Sequence, residues 1–142
     1  IIGYPGETHE DFYQSVKLME DIKFINSYSF IFSARPGTPA FNLEKINLTE
    51  AKNRLMKFQE VANKIKIDYR KNLINKNVNV LFENKTKKEN KYFGRDEHFN
   101  SVIVNNNEDL VGKIKNIKIL NINHNTLYGE IISDLDKKNY AA

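Results

Sequence analysis

Residues 1–12 read IIGYPGETHEDF, in which an apolar pair runs through a glycine and proline turn into the start of a helix. Thr8 stands three residues before Asp11. This spacing is typical of a helix N-cap residue and a second residue whose side chain binds back to the N-cap backbone. The apolar residues that follow share one helical face and are Phe12, Val16, Met19 and Ile22. The stretch therefore predicts a strand, a tight turn and a helix over residues 8–22.

A second apolar run follows this helix. The aromatic residues Tyr28, Phe30 and Phe32 alternate with serines and an isoleucine, which predicts a largely buried strand. A strand on each side of a helix makes a βαβ unit with parallel strands. The first part of the chain is therefore expected to belong to an α/β fold.

Two loops in this part could contact a ligand. Residues 33–40, SARPGTPA, predict an ordered loop at the carboxyl end of the second strand, where α/β folds place their ligands. Arg35 is suited to grip a carboxylate or phosphate at two points. In the first loop, the glycines let the backbone approach a ligand near Gly3 and Tyr4, with the amides of the helix start beyond them. The alternatives are a tight turn with an N-cap, and an exposed arginine without a role.

Residues 49–72 have the spacing of a long helix that Thr49 would cap. Its apolar stripe is narrow and consists of Leu55, Phe58, Ala62, Ile65 and Tyr69. Lysines and arginines, among them Arg54 and Arg70, cover the remaining surface. We expect this helix to pack by one face, while its charged surface is either solvated or in contact with RNA.

The pattern changes near residue 75 to short apolar runs separated by turn-rich stretches. Five such runs lie in residues 78–82, 92–93, 102–104, 114–119 and 127–131. Five short strands in about 60 residues favour a small closed barrel, because closure removes edges that so small a sheet could not protect.

Basic residues gather beside aromatic ones in this second part. They are Lys85, Lys87, Lys88, Lys91, Arg95 and Lys113, and Tyr92 and Phe93 stand among them. Phosphate contact and base stacking require this combination, so these six residues are candidates for RNA binding. The alternative is a solvated, lysine-rich hairpin.

Composition limits the chemistry available to these 142 residues. The chain contains no cysteine, so it offers no disulfide, thiolate nucleophile or cysteine-held cluster. Its three histidines lack ligand spacing, and no set of nucleophile, base and orienting residue is apparent. No membrane span or signal peptide is predicted, which indicates a cytoplasmic protein. The net charge of +4 alone favours mere solubility over nucleic-acid binding.

Several motifs nevertheless resemble one family. Residues 2–8 (IGYPGET) and 28–40 (YSFIFSARPGTPA) are similar to the radical SAM methylthiotransferases of tRNA, and the Arg35–Pro36 pair favours the MiaB type. Residues 75–83 (NKNVNVLFE), with later motifs, resemble the TRAM domain that ends those enzymes. These motifs are Gly94–Arg95, residues 100–104 (NSVIV), Gly112–Lys113 and residues 127–129 (LYG). The chain departs from the family at Asp96, where Thr or Ser is frequent, and at Ser101, where Lys or Arg is frequent.

The resemblance implies a full-length enzyme with two 4Fe-4S clusters and S-adenosylmethionine. Such an enzyme generates a 5'-deoxyadenosyl radical and puts a methylthio group on isopentenyladenosine beside the anticodon. It also implies that Gly3, Tyr4 and Arg35 lie at the end of the barrel that faces S-adenosylmethionine and the target base. None of the cluster cysteines lies in this chain, so no catalytic residue or metal ligand is assigned here, and the chain alone is expected to be inactive.

The implied fold class is α/β plus all-β. Residues 1–48 would be the C-terminal part of a radical SAM, TIM-like partial barrel, and residues 49–74 a linking helix. Residues 75–133 would form a five-stranded antiparallel OB-like barrel, the TRAM domain, followed by a tail over residues 134–142. We expect a monomeric C-terminal piece of a longer protein that binds tRNA. Two alternatives are a stand-alone RNA-binding module, with residues 1–48 as a packing cap, and a methylthiotransferase that acts on a ribosomal protein.

Overall fold

The computed structural model describes residues 1–88 and 90–132, which form two compact units, one of Ile1–Tyr69 and one that begins at Arg70. The tail expected at residues 134–142 lies outside the described residues. Within the described ranges, no helix has the length and apolar character needed to cross a lipid bilayer. Helix α1 spans His9–Ile22, a short 3-10 helix spans Pro39–Asn42, and α2 spans Leu48–Lys71.

The predicted helix over residues 8–22 is confirmed as α1. The amide of Asp11 donates to Oγ1 of Thr8 at 3.1 Å, and the amide of Thr8 donates to Oδ2 of Asp11 at 2.8 Å. Three residues of the apolar face, Phe12, Val16 and Met19, are buried, while Ile22 is exposed. Ile2, Phe12 and Val16 form a small core that Leu55, Phe58 and Val61 of α2 cover.

The strand predicted at residues 28–32 is reduced to one point of parallel pairing. Ile2 and Ile31 form a single bridge, in which the amide of Ile2 donates to the carbonyl of Phe30 at 2.8 Å. The expected burial was wrong, because 90% of Tyr28 and 66% of Phe30 are exposed. The parallel direction of the expected βαβ unit is present at the bridge.

Helix α2 begins one residue earlier than predicted and has a different cap. Oδ1 of Asn47 accepts from the amides of Thr49 at 2.8 Å and Glu50 at 3.4 Å, so Asn47 replaces Thr49 as the capping side chain. The surface of the helix also differs from the prediction. Arg54 and Arg70, which were expected on a charged outer surface, are both buried.

The second unit is a closed five-stranded barrel, as the sequence predicted. Its strands follow one another round the barrel in the order β1-β2-β3-β5-β4. They are β1 Asn77–Lys85, β2 Lys91–Asp96, β3 Ser101–Asn105, β4 Ile114–Ile122 and β5 Thr126–Ile131. The core holds the inward side chains Val80, Phe82, Tyr92, Val102, Val104, Leu110, Ile117, Ile119 and Leu127.

The barrel is not antiparallel throughout. Four of the strand pairs are antiparallel, but β3 and β5 run parallel, with Ile103 beside Tyr128. A ring of five strands cannot alternate in direction all the way round, because five is an odd number. One parallel pair is therefore the geometric consequence of closing the ring.

Two glycines allow the barrel to close tightly. A Cβ at Gly94 would collide with the backbone oxygen of Leu81 and lie 2.7 Å from Cγ1 of Val80. A Cβ at Gly129 would likewise collide with the backbone of Lys118. These strands approach so closely that glycine is required at both positions.

Candidate functional site

The first loop, residues 3–8, is held by contacts within its own unit. Gly3 has a φ of 77°, and its amide donates to Oε2 of Glu7 at 2.9 Å. A Cβ at Gly3 would lie 2.9 Å from the Cβ of Ala51, so glycine is also needed for the loop to pack on α2. The Gly3 amide therefore binds a carboxylate of its own chain. In the first turn of α1, the capping box with Thr8 already uses the amide of Asp11.

Arg54 of α2 holds this loop in place through hydrogen bonds. Its Nη1 donates to Oε1 of Glu7 at 2.7 Å and to the carbonyl of Glu7 at 3.0 Å, and its Nε donates to Oε1 of Glu50 at 2.9 Å. The remaining nitrogen, Nη2, lies 3.3 Å from Nδ1 of His9. Hydrogen bonding to Glu7, more than to Glu50, raises the pKa of Arg54. The guanidinium is thus fully ionised, and its Nη1 holds the loop while its Nε pairs with Glu50 of the same helix.

Tyr4 connects the first loop to the second. About half of its side chain is exposed, and its ring centroid lies 5.0 Å from that of Phe32 in an edge-on contact. Phe32 lines a cavity of about 650 Å³ that also includes Arg35. The complete lining is Ile1, Phe30, Ile31, Phe32, Ser33, Arg35, Thr38 and Ala40. The structure therefore places Tyr4 and Arg35 near one cavity, whereas Gly3 is not among the lining residues.

The Arg35 loop is closed by its own threonine. The carbonyl of Arg35 accepts from the amide of Thr38 at 3.3 Å and from its hydroxyl at 2.8 Å. This turn leaves the Arg35 side chain exposed at the rim of the apolar cavity. A single guanidinium beside aromatic walls suits a ligand that combines an anionic group with a flat or apolar part.

In the second unit, four of the predicted RNA-binding residues lie on one hairpin. Lys85 ends β1, Lys87 and Lys88 lie in the turn, and Lys91 begins β2. The amide of Lys91 donates to the carbonyl of Lys88 at 3.3 Å, which closes the turn. The ammonium of Lys85 lies 5.9 Å from the ring centroid of Tyr92. The hairpin therefore concentrates four positive charges at one end of the barrel.

The other two predicted residues have different surroundings. Nε of Arg95 pairs with Oε1 of Glu83 at 3.1 Å, and its guanidinium lies 5.5 Å from the ring centroid of Phe93. About two fifths of both charged side chains are exposed. Lys113 precedes β4, and its ammonium donates to the carbonyl of Asp109 at 2.8 Å in its own loop. Arg95 thus continues the basic surface along β2, while Lys113 belongs to a separate loop.

Asp96, one of the departures from the family pattern, organises the turn between β2 and β3. Its Oδ1 accepts from the amides of His98 at 2.9 Å and Asn100 at 2.8 Å. Its Oδ2 accepts from Nδ2 of Asn100 at 2.8 Å. Both side chains are buried, so Asp96 has a structural role and does not face a ligand.

Sequence reasoning missed the buried positions of Arg54 and Arg70. Arg70 donates through Nη1 to the carbonyl of His124, while its buried Nε has no hydrogen-bond partner among the described residues. Burial lowers the pKa of Arg70, and the nearby charge of Asp96 opposes this shift. Glu50 stands four residues before Arg54, and this i, i+4 pair was the one signal in the sequence for the Arg54 cluster. No comparable signal marks Arg70.

Similarity to known proteins agrees with this architecture. Residues 71–132 match the family model of the TRAM domain, and the barrel of the second unit is therefore a TRAM domain. The similarity also extends beyond the barrel. The chain is 46% identical over 138 residues to a tRNA-2-methylthio-N(6)-dimethylallyladenosine synthase of Pelagibacter ubique. The matched region covers 97% of this chain and 31% of that protein.

Other relatives carry the same name. One from Actinobacillus pleuropneumoniae is 38% identical and covers 96% of the chain, and one from Wolbachia pipientis is 37% identical and covers 91%. The chain spans about 30% of the length of these relatives. The expected resemblance to the tRNA methylthiotransferases is thereby confirmed for both parts of the chain.

Proposed function

We propose that this chain contributes tRNA binding, and one wall of the pocket for S-adenosylmethionine and the target base, to a tRNA methylthiotransferase. The proposed reaction is the one named by its relatives, methylthiolation of N6-dimethylallyladenosine, which is another name for isopentenyladenosine. Cluster chemistry would come from residues outside this chain, since the chain contains no cysteine. In this proposal, residues 1–48, 49–74 and 75–133 act as barrel wall, linking helix and RNA-binding domain of a cytoplasmic, monomeric enzyme.

The observation that carries the RNA-binding role is the basic hairpin on the TRAM barrel. Lys85, Lys87, Lys88 and Lys91 surround one turn, and Arg95 continues the surface along β2. Phosphate groups bind such clusters without regard to sequence, so the hairpin would orient the tRNA by its backbone. Lys113 would add a contact from its own loop.

The residues of the first unit fit part of an S-adenosylmethionine site. The cavity beside Arg35 combines aromatic walls with one guanidinium, which suits the carboxylate of the cofactor or a phosphate of the RNA. Tyr4 would limit the cavity through its contact with Phe32. Gly3 would act indirectly, because its amide binds Glu7 and thereby shapes the loop. When bound, S-adenosylmethionine supplies the methyl group of the product.

The similarity of residues 1–70 to the synthases favours this function over a stand-alone RNA-binding module. A module would need only the barrel, yet the match covers 97% of the chain. A methylthiotransferase acting on a ribosomal protein would keep the same fold. Assaying the full-length enzyme on tRNA and on the ribosomal protein separates these two hypotheses about its substrate. A methylthio product on the ribosomal protein alone would overturn our proposal.

A salt titration tests the RNA-binding role. In the full-length protein, changing Lys87, Lys88 and Lys91 together to Gln should weaken tRNA binding and reduce the slope of log affinity against log salt by up to about three. The control changes Lys17, Lys52 and Lys64 to Gln, three exposed lysines of the first unit, which removes the same charge. Equal effects of the two triple variants, or tRNA binding that does not depend on salt, would contradict the proposal.

A further inference from the structure

The outer surface of the barrel carries a row of residues that the strand register places side by side. Phe93 of β2 pairs with Ile103 of β3, and Ile103 pairs with Tyr128 of β5. All three side chains are partly buried, and their neighbours along the strands point into the barrel. These buried neighbours include Tyr92, Gly94, Val102, Val104 and Leu127. Two aromatic rings and one aliphatic side chain therefore form a line across three strands, which we call the aromatic row.

An exposed asparagine stands at each end of the aromatic row. Asn84 of β1 pairs with Phe93, and Asn121 of β4 pairs with Tyr128. Each asparagine follows directly on an irregularity in its strand, and such bulges re-aim side chains. Nδ2 of Asn84 donates to the carbonyl of Lys85, and Oδ1 of Asn121 accepts from the amide of Ile122. Among the described residues, this leaves the oxygen of Asn84 at one end of the row and the amide nitrogen of Asn121 at the other.

The ring of Tyr128 has a fixed position. Its hydroxyl accepts a hydrogen bond from Nδ2 of Asn123 at 3.0 Å, in the turn between β4 and β5. A ring anchored at its hydroxyl loses little side-chain freedom when a ligand lies on its face. Tyr128 is therefore prepared for contact through its face.

Positive charge lies on both sides of the row. Lys91 and Arg95 stand two residues before and after Phe93, and the alternation of the strand puts all three on the outer surface. The guanidinium of Arg95 lies 5.5 Å from the Phe93 ring centroid. Phosphates spaced along a nucleotide chain could reach these cations while a base covers a ring. A protein partner would favour a wider apolar surface without amides and cations within it.

We propose that the aromatic row binds one or two unpaired bases of the RNA, stacked on Phe93 and Tyr128, with Lys91 and Arg95 on the adjoining phosphates. Asn84 and Asn121 bind the edges of these bases. A paired region cannot use the row, because the faces of its bases are covered by their neighbours. The inference rests on the proposed RNA binding and adds that the barrel binds single-stranded nucleotides through their bases as well as through the backbone.

Fluorescence of a single-stranded RNA that contains 2-aminopurine tests this proposal, because the probe loses emission when it stacks. The full-length protein is compared with Phe93→Leu and Tyr128→Leu, which keep apolar bulk and lose the ring. Phe93→Trp and Tyr128→Phe keep a ring, and they serve if a leucine variant fails to fold. The matched control is Tyr13→Leu, which removes an exposed ring from α1.

Stacking on the row predicts that each leucine variant binds the single strand about tenfold more weakly and quenches the probe less. The tryptophan and phenylalanine variants and Tyr13→Leu should retain wild-type quenching. Unchanged affinity and quenching in both leucine variants would overturn the aromatic row while leaving backbone binding by the lysine hairpin intact. Equal affinity of the wild type for single-stranded and duplex RNA would do the same. A wild-type protein that binds no RNA in dilute salt would overturn the proposed function itself.

Discussion

Nη1 of Arg54 lies 2.7 Å from Oε1 of Glu7, and about a tenth of each side chain is exposed. This ion pair joins the middle of the sequence to its beginning, because Glu7 belongs to the loop before α1 and Arg54 to α2. Glu7 also accepts from the amide of Gly3, so the arginine fixes the shape of the loop through the carboxylate. The surroundings of the proposed substrate cavity thus depend on a residue that does not line it.

Replacement of Arg54 by Gln should lower the free energy of unfolding of the first unit by about 3 kcal/mol, because it leaves the Glu7 carboxylate buried without its cation. Urea unfolding followed by helical circular dichroism measures the change, since this unit contains α1 and most of α2. Lys52→Gln on the exposed surface of the same helix is the control and should change stability by less than about 0.5 kcal/mol. Similar stabilities of the two variants would show that Arg54 contributes no more than a surface charge.

Replacement of Gly94 by Ala should destabilise the barrel by about 3 kcal/mol, since the added methyl group meets the backbone of Leu81, which cannot move without breaking the sheet. Gly112→Ala is the matched control. It has a φ of 75° but open space around the added methyl group, so only backbone strain of about 1 kcal/mol is expected. Equal losses in urea unfolding would mean that close strand approach does not determine the cost at Gly94.

Replacement of Arg70 by Met should change barrel stability by no more than about 1 kcal/mol. The variant loses the hydrogen bond to the carbonyl of His124, but it also removes a buried charge whose Nε finds no partner within residues 1–88 and 90–132. Arg70→Ala also leaves a cavity and should cost about 2 kcal/mol more. If methionine proves as harmful as alanine in thermal unfolding, the guanidinium contributes through hydrogen bonding and not through packing.

The sequence predicted elements that are determined by local patterns. Helix α1 could be found because Thr8, Asp11 and the apolar spacing all act within one short segment, and the strands could be found from their alternation. The exposure of Tyr28 could not be found, since burial depends on which strands lie beside a segment. Arg54 and Arg70 lie among lysines in a stretch typical of a solvated helix surface. The Glu50 pair singles out Arg54, but the burial of both arginines depends on tertiary contacts.

The candidate site was predictable to a similar extent. The lysines of the hairpin are adjacent in sequence, so their proximity follows from one turn. The aromatic row joins β2, β3 and β5 through a parallel pair, and the register of distant strands cannot be derived from spacing alone. Gly94 belongs to a sequence motif, but the requirement for glycine there arises from the close approach of β1, which the sequence does not reveal.

Acid should remove the contribution of the capping box of α1. Hydrogen bonds from the side chain and then the backbone of Thr8 lower the pKa of Asp11 below its ordinary value of 3.8. A carboxyl whose pKa is lower in the folded state than in the unfolded state contributes its full stabilisation of the fold when the pH is above the unfolded pKa. This contribution is lost as the pH falls through the folded pKa. The difference in thermal midpoint between wild type and Asp11→Ala should therefore be constant near neutral pH and vanish well below pH 3.8. Thr8→Ala should keep a residual difference in acid, because the bond from the Asp11 amide to Oγ1 of Thr8 does not titrate. A difference for Asp11→Ala that grew with acid would have the opposite sign from this linkage.

Replacement of Glu83 by Gln should strengthen RNA binding. Glu83 neutralises Arg95 at 3.1 Å on the outer surface of the barrel, where two fifths of both side chains are exposed. An ion pair so exposed contributes at most about 1 kcal/mol to stability, so the fold should tolerate its loss. Without the carboxylate, Arg95 can bind a phosphate without first breaking an ion pair. The variant also removes a negative charge that would repel the RNA phosphates. We expect an affinity about threefold higher, with the salt slope steeper by about one. Glu97→Gln in the next turn is the charge-matched control, and an equal gain there would mean that net charge alone, and not the release of Arg95, increases the affinity.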